Sequence, residues 1–426
     1  MNSPKGTRHT VTMDQLCVGL HIRLDGWSGH PFLFSSFKIK DQKQIDTLKS
    51  MGLTELEYLP QKSDAQPPAP AAVAAPVKDQ AAPDAATLAM QELMKEKQER
   101  IDSLNKARER IQAAEKKYTK TASAVKNVMR LANNNPAQAA QQAAEVAGEL
   151  AEIFLAKQNP YIHLMGDNEA DESAHFHSLN VTVLSLILGR AVGIEDPQTM
   201  RDIAQGAVLH DVGKAMIPSQ VLLKDDLTTA EAKLLQMHPG YGVKLMQPVE
   251  TLPRRVREII FFHHELYDGS GFPKGLKGEA VDQCVRIVTI ANVYDNLCNQ
   301  RIKARGKTPS EALSFMYKNE LAKYDKGLLS AFIKSMGIYP PGTIVVLKSG
   351  KVGIVMSVDA SDLLHPNLMI YDQAIPKQQA AVVNLRRDLE DSVDRTLRPS
   401  ALPQPIFDYL SPRKRISYFV DNAGPG

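Results

Sequence analysis

Apolar residues recur at three- and four-residue intervals through most of the chain between about 121 and 336, in segments separated by Pro, Gly or Asn/Asp breaks. That period is the signature of successive helices, each burying one face. It predicts helices over 125–132, 137–155, 177–192, 200–210, 229–246, 253–264, 285–298 and 309–336. The flanks read differently. Residues 10–60 mix short β-like pieces, 20–24 and 32–37, with a helix over 41–51 that Gly52 would cap. This predicts a small α+β unit, in which Trp27 and His30 read as structural. After Pro340-Pro341-Gly342, β-branched runs at 344–347 and 352–358 are separated by Lys348-Ser349-Gly350-Lys351, a hairpin pattern.

The fold class is therefore mainly α, with a small α+β N-terminal domain (1–60) and a short β C-terminal extension within 338–426. Residues 385–426 are charged and proline-punctuated and carry no legible role. Residues 61–86 are rich in Ala, Pro, Asp and Gln, with Pro67, Pro68, Pro70, Pro76 and Pro83, and bury too little to offset their ordering entropy. They read as a linker. Residues 87–120 set Leu88, Met90, Leu93, Met94, Ile101, Leu104 and Ile111 at helical spacing among dense charges. This predicts one long helix ahead of an all-α domain over 121–337. Its seam is irregular, so two readings stand: a coiled-coil homodimer, or an amphipathic helix docked on its own domain.

Composition narrows the setting. The 426 residues are 43% hydrophobic, ample for a core, and the formal charge of +3 comes without a basic block of the kind that binds DNA. Cys17, Cys284 and Cys298 form no C-x-x-C pair, which argues against a disulfide scaffold and against a cysteine zinc site. With no apolar core for a signal peptide and no apolar run of membrane-spanning length, the expectation is a cytoplasmic protein with no membrane partner.

Chemistry concentrates in two stretches. His210-Asp211-Val212-Gly213-Lys214 follows the apolar Ala207-Val208-Leu209, and His263-His264-Glu265 precedes the glycine-rich Asp268-Gly269-Ser270-Gly271-Phe272-Pro273. Polar clusters at the ends of apolar helices are costly unless paired, and a metal ion would pair them. His177, His210, His238, His263 and His264 all fall near predicted helix ends, and Asp211 adds a carboxylate able to bridge two cations. Imidazole with carboxylate suits Fe, Mn, Zn or Ni rather than Mg or Ca.

These motifs, with His238-Pro239-x-x-Gly242 and Lys274-Gly275-Leu276-Lys277-Gly278-Glu279, resemble the HD-GYP family, bacterial cyclic di-GMP phosphodiesterases within the HD superfamily of metal-dependent phosphohydrolases. Residues 10–60 also resemble the small uncharacterised domain often found in front of that family. The resemblance implies an HD-type helical bundle that hydrolyses cyclic di-GMP to linear pGpG or onward to GMP through two divalent metal ions, Fe or Mn foremost. Signalling partners reached through the N-terminal part are the competing expectation. It implies His177, His210, Asp211, His238, His263, His264 and Asn292 as metal ligands, with Asp211 as the bridge. Asp211 and Lys214 would be catalytic, and Lys214, Asp268, Gly271, Phe272, Pro273 and Arg301 would bind substrate. Four departures follow. Phe272 stands where the family has tyrosine, keeping the ring and losing the hydroxyl. Asn292 stands where the family has an aspartate ligand, removing one negative charge, and Asp295 one turn on could replace it as a ligand or support neighbouring ligands. Ser173 stands where three-metal members have glutamate, which implies two metals. Near Arg301 a family lysine is replaced by Ala304, with Lys303 one step off.

Overall fold

The structure, a computed structural model, describes residues 9–24, 32, 36–69, 83–156, 161–165, 174–300, 306–359, 362–373, 375–377, 380, 382–386, 391–412 and 415–421, with 83–110 described chiefly by backbone. Trp27, His30, Ser173, Arg301, Lys303 and Ala304 lie outside the described residues. The chain divides into two compact units, Met1–Lys106 with Asp372–Gln379 and Ala107–Tyr371 with Ala380–Gly426.

In the first unit, β1 (His9–Thr12), β2 (His21–Arg23), β3 (Ser36–Lys38) and β4 (Glu55–Tyr58) form an antiparallel sheet in the order β1-β4-β2-β3. Helix α1 (Gln42–Ser50) starts at Asp41, whose side chain accepts from Gln44 N–H, as N-caps do. Val11, Leu20, Ile22, Ile45 and Leu48 make its core. The expected linker differs at its start. Asp64 N–H donates to Gly19 O at 2.9 Å, Lys38 Nζ pairs with Asp64 at 2.7 Å and Gln15 Nε2 donates to Pro68 O at 2.9 Å. Polar side chains thus lay residues up to Pro68 along the sheet unit, where composition alone suggested free chain.

The helix predicted over 87–120 starts at Pro83, a residue tolerated in the first turn because that N–H has no helical partner. It then runs unbroken to Leu131 as α2 (Pro83–Leu131), absorbing the separate helix expected at 125–132. Within the second unit its Ala114, Tyr118, Ala122, Val125 and Val128 are buried at helical spacing, so this portion docks on its own domain.

The second unit continues with α3 (Pro136–Leu155), β5 (Tyr161–Leu164), α4 (Ala174–Ala191), α5 (Pro197–Leu209), α6 (Ser219–Leu222), α7 (Thr229–Leu235), α8 (His238–Met246), α9 (Arg254–Phe262), α10 (Gln283–Cys298), α11 (Pro309–Asn319) and α12 (Lys326–Met336). Two predicted helices split. The one over 229–246 breaks before His238-Pro239, where α8 restarts with proline in its first turn. The one over 309–336 breaks at Asp325, whose carboxylate accepts from Gly327 and Leu328 N–H and caps α12. Helix α4 is buried on nearly all sides, with Leu179, Val181, Val183, Leu184 and Leu186 in the central cluster.

The β extension is larger than the hairpin expected. Strands β6 (Ile344–Leu347), β7 (Val352–Asp359), β8 (Asp362–Ile370), β9 (Val382–Asn384) and β10 (Val393–Leu397) join β5 and, beyond α13 (Gln404–Leu410), β11 (Tyr418–Asp421). β5 lies between β7 and β11, antiparallel to both. Non-local pairing of this kind leaves no mark in a local pattern. The fold is mainly α, with small β-rich parts at either end of the chain, and no described helix is long and apolar enough to cross a membrane.

Candidate metal centre

Three histidines are held by one device. The Nδ1–H of His210 donates to Ala207 O at 2.7 Å, that of His238 to Leu235 O at 2.6 Å and that of His263 to Ile260 O at 3.0 Å. Each carbonyl lies in the last turn of α5, α7 or α9, where helical partners run out. The i−3 bond fixes the tautomer and leaves Nε2 free to point inward. His177, in the first turns of α4, is held by a carboxylate instead, its Nδ1 standing 2.5 Å from Asp295 Oδ2 on α10. Asp211 and Lys214 sit in the tight turn that follows α5. Gly213 in that turn is obligatory, since a Cβ there would lie 1.9 Å from His238 O and 2.3 Å from Gly242 N. Its bareness lets α8 close on the turn.

The free nitrogens converge on Asp211. Oδ2 faces His210 Nε2 at 3.5 Å and His177 Nε2 at 3.6 Å, while Oδ1 faces His238 Nε2 at 3.2 Å and His263 Nε2 at 3.8 Å. Two candidate ligand sets result, His177/His210/Asp211 and Asp211/His238/His263/His264, each with its donor atoms within 4.8 Å of one another. Asp211 belongs to both.

The donors fit a cation. His177 Nε2 and His210 Nε2 lie 3.2 Å apart, and so do His238 Nε2 and His263 Nε2. With Nδ1–H already committed in all four rings, these are lone pairs facing each other, an arrangement that needs positive charge between them. Asp211 Oδ1 is buried without a hydrogen bond. Burial pushes His210 down to about 4 despite the adjacent Asp211 carboxylate. Burial and neighbouring imidazoles hold His263 and His264 well below the ordinary range. Burial acts to raise Asp211, but the Lys214 ammonium at 2.5 Å and the surrounding histidines hold it well below the usual carboxylate range. Neutral imidazoles at His210, His263 and His264 and an ionised Asp211 are the protonation state metal ligands require. Lys214 is the cation on its open side, with its side chain 31% exposed.

The loop after His264 is built around Glu265, whose role the sequence reading did not assign. Its buried carboxylate accepts from Lys274 N–H at 2.6 Å, Gly275 N–H at 3.1 Å and Leu276 N–H at 2.9 Å. Gly271 lies against the backbone of His264 and Leu266, 2.4 Å from either for an added Cβ. The Phe272–Pro273 bond is cis. The Phe272 ring stacks on His264, with centroids 4.5 Å apart at 15°, so the ring kept in place of tyrosine lies against a ligand-set imidazole. Asp268 Oδ1 accepts from Ser270 N–H and Oγ–H at 2.9 and 2.6 Å, closing the turn. A glutamate followed by several glycine-flanked backbone donors is the signal that could have located this anchor.

Asn292 is buried on α10, and its Oδ1 accepts from Asn296 Nδ2 at 2.8 Å. Asp295, one turn on, supports rather than replaces. Its Oδ2 holds His177, and its Oδ1 accepts from Asn180 and from Asn299 Nδ2.

Residues 126–328 match the family described as HD domain, and residues 8–143 match the Domain of unknown function (DUF3391), a span that takes in all of α2 and the start of α3 as well as the sheet unit. The chain is 27% identical over 390 residues to the cyclic di-GMP phosphodiesterase PA4108 of Pseudomonas aeruginosa, covering 88% of this chain and 89% of that one. It is 35% identical over 150 residues to the cyclic di-GMP phosphodiesterase response regulator RpfG of Xanthomonas campestris, covering 35% and 39%. It is 29% identical over 168 residues to the 3'3'-cGAMP-specific phosphodiesterase 3 of Vibrio cholerae, covering 38% and 35%. The chain thus carries an HD domain over residues 126–328 and, overlapping it on the N-terminal side, a DUF3391 domain over residues 8–143.

Proposed function

We propose that this chain is a metal-dependent phosphodiesterase that hydrolyses cyclic di-GMP to linear pGpG, or onward to GMP, at the centre around Asp211. One observation carries the reading: the two oxygens of Asp211 each face a separate pair of inward-pointing Nε2 atoms. Two divalent transition metals, Fe or Mn foremost and Zn or Ni as the other fits, would activate water and neutralise charge on the phosphoryl oxygens. The residues do the rest. Asp211 ties the two ligand sets to one spacing, and its own charge is balanced by Lys214. Lys214, at the open side, is placed to stabilise the extra negative charge that develops on a phosphate under attack. The loop of Asp268, Gly271, Phe272 and Pro273 would contact substrate, with the Phe272 ring stacked on His264. Arg301 is assigned to phosphate by resemblance, outside the described residues. The relatives' names support cyclic di-GMP as substrate, and the 3'3'-cGAMP-specific relative makes the hybrid dinucleotide the first competitor. A cytoplasmic setting belongs to the same proposal.

Asn292 favours a second reading, a metal- or nucleotide-binding protein that signals through protein partners. It brings no charge, and its oxygen is already engaged by Asn296. The deciding experiment is chromatographic detection of cyclic di-GMP hydrolysis by full-length protein reconstituted anaerobically with Mn(II) or Fe(II), with metal content measured on the same sample and 3'3'-cGAMP run in parallel. Metal-dependent release of pGpG that disappears in Asp211→Ala supports the enzyme. Bound metal with no turnover of either dinucleotide supports the second reading.

A further inference from the structure

The last described strand reaches the metal centre through two amides. Asn299, the residue that ends α10, donates from Nδ2 to Asp295 Oδ1 at 2.7 Å and to Ile416 O at 2.8 Å, while its Oδ1 accepts from Ile416 N–H at 2.8 Å. Asn180, on α4 one turn beyond His177, donates to the same Asp295 oxygen and to Ile416 O at 3.2 Å, and its Oδ1 accepts from Tyr418 N–H at 2.8 Å. Each amide thus satisfies a backbone group of the segment Ile416–Tyr418 with one hand and Asp295 with the other. Asp295 in turn holds Nδ1 of His177. Arg415 brings its guanidinium to 3.8 Å from Asp295 Oδ2 and 6.0 Å from the ring of Phe176, the neighbour of His177. The segment is itself fixed, since β11 pairs with β5, Met165 N–H donates to Ser417 O at 2.9 Å, and Tyr418, Phe419 and Val420 are buried in the central cluster.

We propose that the C-terminal segment around Ile416–Tyr418, some ninety residues beyond the end of the HD family match, is a positioning element of the metal centre. It acts through Asn180 and Asn299, which hold Asp295 so that His177 presents Nε2 to the cation shared with His210. Nothing comparable reaches the other ligand set in the described residues, where His238 and His263 rest on carbonyls of their own helices or the helix just before. The device is one-sided. Loosening it weakens the His177/His210/Asp211 set and spares Asp211/His238/His263/His264. The inference rests on the metal-centre reading, not on the identity of the substrate.

The test is metal titration of full-length protein with Mn(II) and Co(II), using Asn299→Ala and the double variant Asn180→Ala/Asn299→Ala, with Tyr418→Phe as the comparison. Tyr418→Phe removes the 2.8 Å contact between Tyr418 and Tyr294 hydroxyls and leaves the amide clasp intact. Outer ligand-supporting contacts typically change metal affinity by about 10–100-fold. The expected result is a loss of that size at one of two binding steps in the asparagine variants, an unchanged second step, and unchanged binding in Tyr418→Phe. Equal weakening of both steps, an equal effect of Tyr418→Phe, or wild-type binding in the double variant would each overturn the proposal. Hydrolysis of cyclic di-GMP, read on the same samples, bears only on the proposed activity.

Discussion

Asp295 Oδ2 stands 2.5 Å from His177 Nδ1, and both groups are buried. A carboxylate behind a ligand imidazole fixes the ring's tautomer and raises its basicity. Asp295→Asn keeps the shape but removes the charge and turns one acceptor oxygen into an amide donor, facing either His177 Nδ1–H or the Asn180 and Asn299 amides. The expected outcome is about 10–100-fold weaker metal binding at the His177/His210/Asp211 set, read by titration calorimetry. Full retention of both metals would show that the contact serves folding alone.

Asn292→Asp restores a carboxylate where the family has one, and the Asn296 amide that now donates to Asn292 can donate equally to the new carboxylate. Added negative charge favours bound cations. Metal retention after dialysis against a chelator is expected to rise by about tenfold. Turnover appearing in Asn292→Asp from a silent wild type would identify a site adapted to binding, whereas equal turnover in both would show that the amide is tolerated.

Glu265→Gln removes a buried charge from three backbone donors of the loop. Hydrogen bonds to charged groups contribute about 1.5–3 kcal/mol each, so a net loss of about 2–3 kcal/mol is expected in urea unfolding. Faster amide exchange should be confined to residues near 271–276. Unaltered exchange there would mean that the carboxylate does not hold the loop.

Acid sensitivity of the apo protein follows from the buried imidazoles. Burial lowers His210 to about 4 and pushes His263 and His264 down as well, against an unfolded value of about 6.5. Between those values the unfolded chain binds more protons, so stability rises with pH there and is lost as pH falls from about 6.5 toward 4. Apo protein is expected to lose a few kcal/mol in urea unfolding between pH 7 and pH 5. A flat profile across that window would contradict neutral imidazoles in the apo centre.

Most of this molecule's architecture could be read locally. Apolar spacing together with the Pro, Gly and Asn/Asp breaks located α3, α4, α5, α9 and α10 to within a few residues, even where burial extends round the helix as in α4. The breaks inside 229–246 and 309–336 were missed because a mid-segment proline or capping aspartate decides between bending and restarting a helix only against its packing. The cluster of His177, His210, Asp211, His238, His263 and His264 could be anticipated because imidazoles and a carboxylate at the ends of apolar helices need a common partner, and all six fall within the two groups able to hold a cation, while the metal role expected for Asn292 stays a proposal.

What the chain could not show by itself was division of labour. Whether Asp295 binds a metal or supports a ligand depends on which way two carboxylate oxygens point, and partners as remote in sequence as His177 and Asn180 decide it. The charged, proline-punctuated C-terminal segment looked featureless because its contribution is made by backbone groups, which every residue carries alike. Sequence determined the helices and the ligand inventory, since periodicity and residue type are local properties. Tertiary structure alone decided which side chains converge on Asp211, which stand behind them, and that Ile416 and Tyr418 reach the same cluster from the far end of the chain.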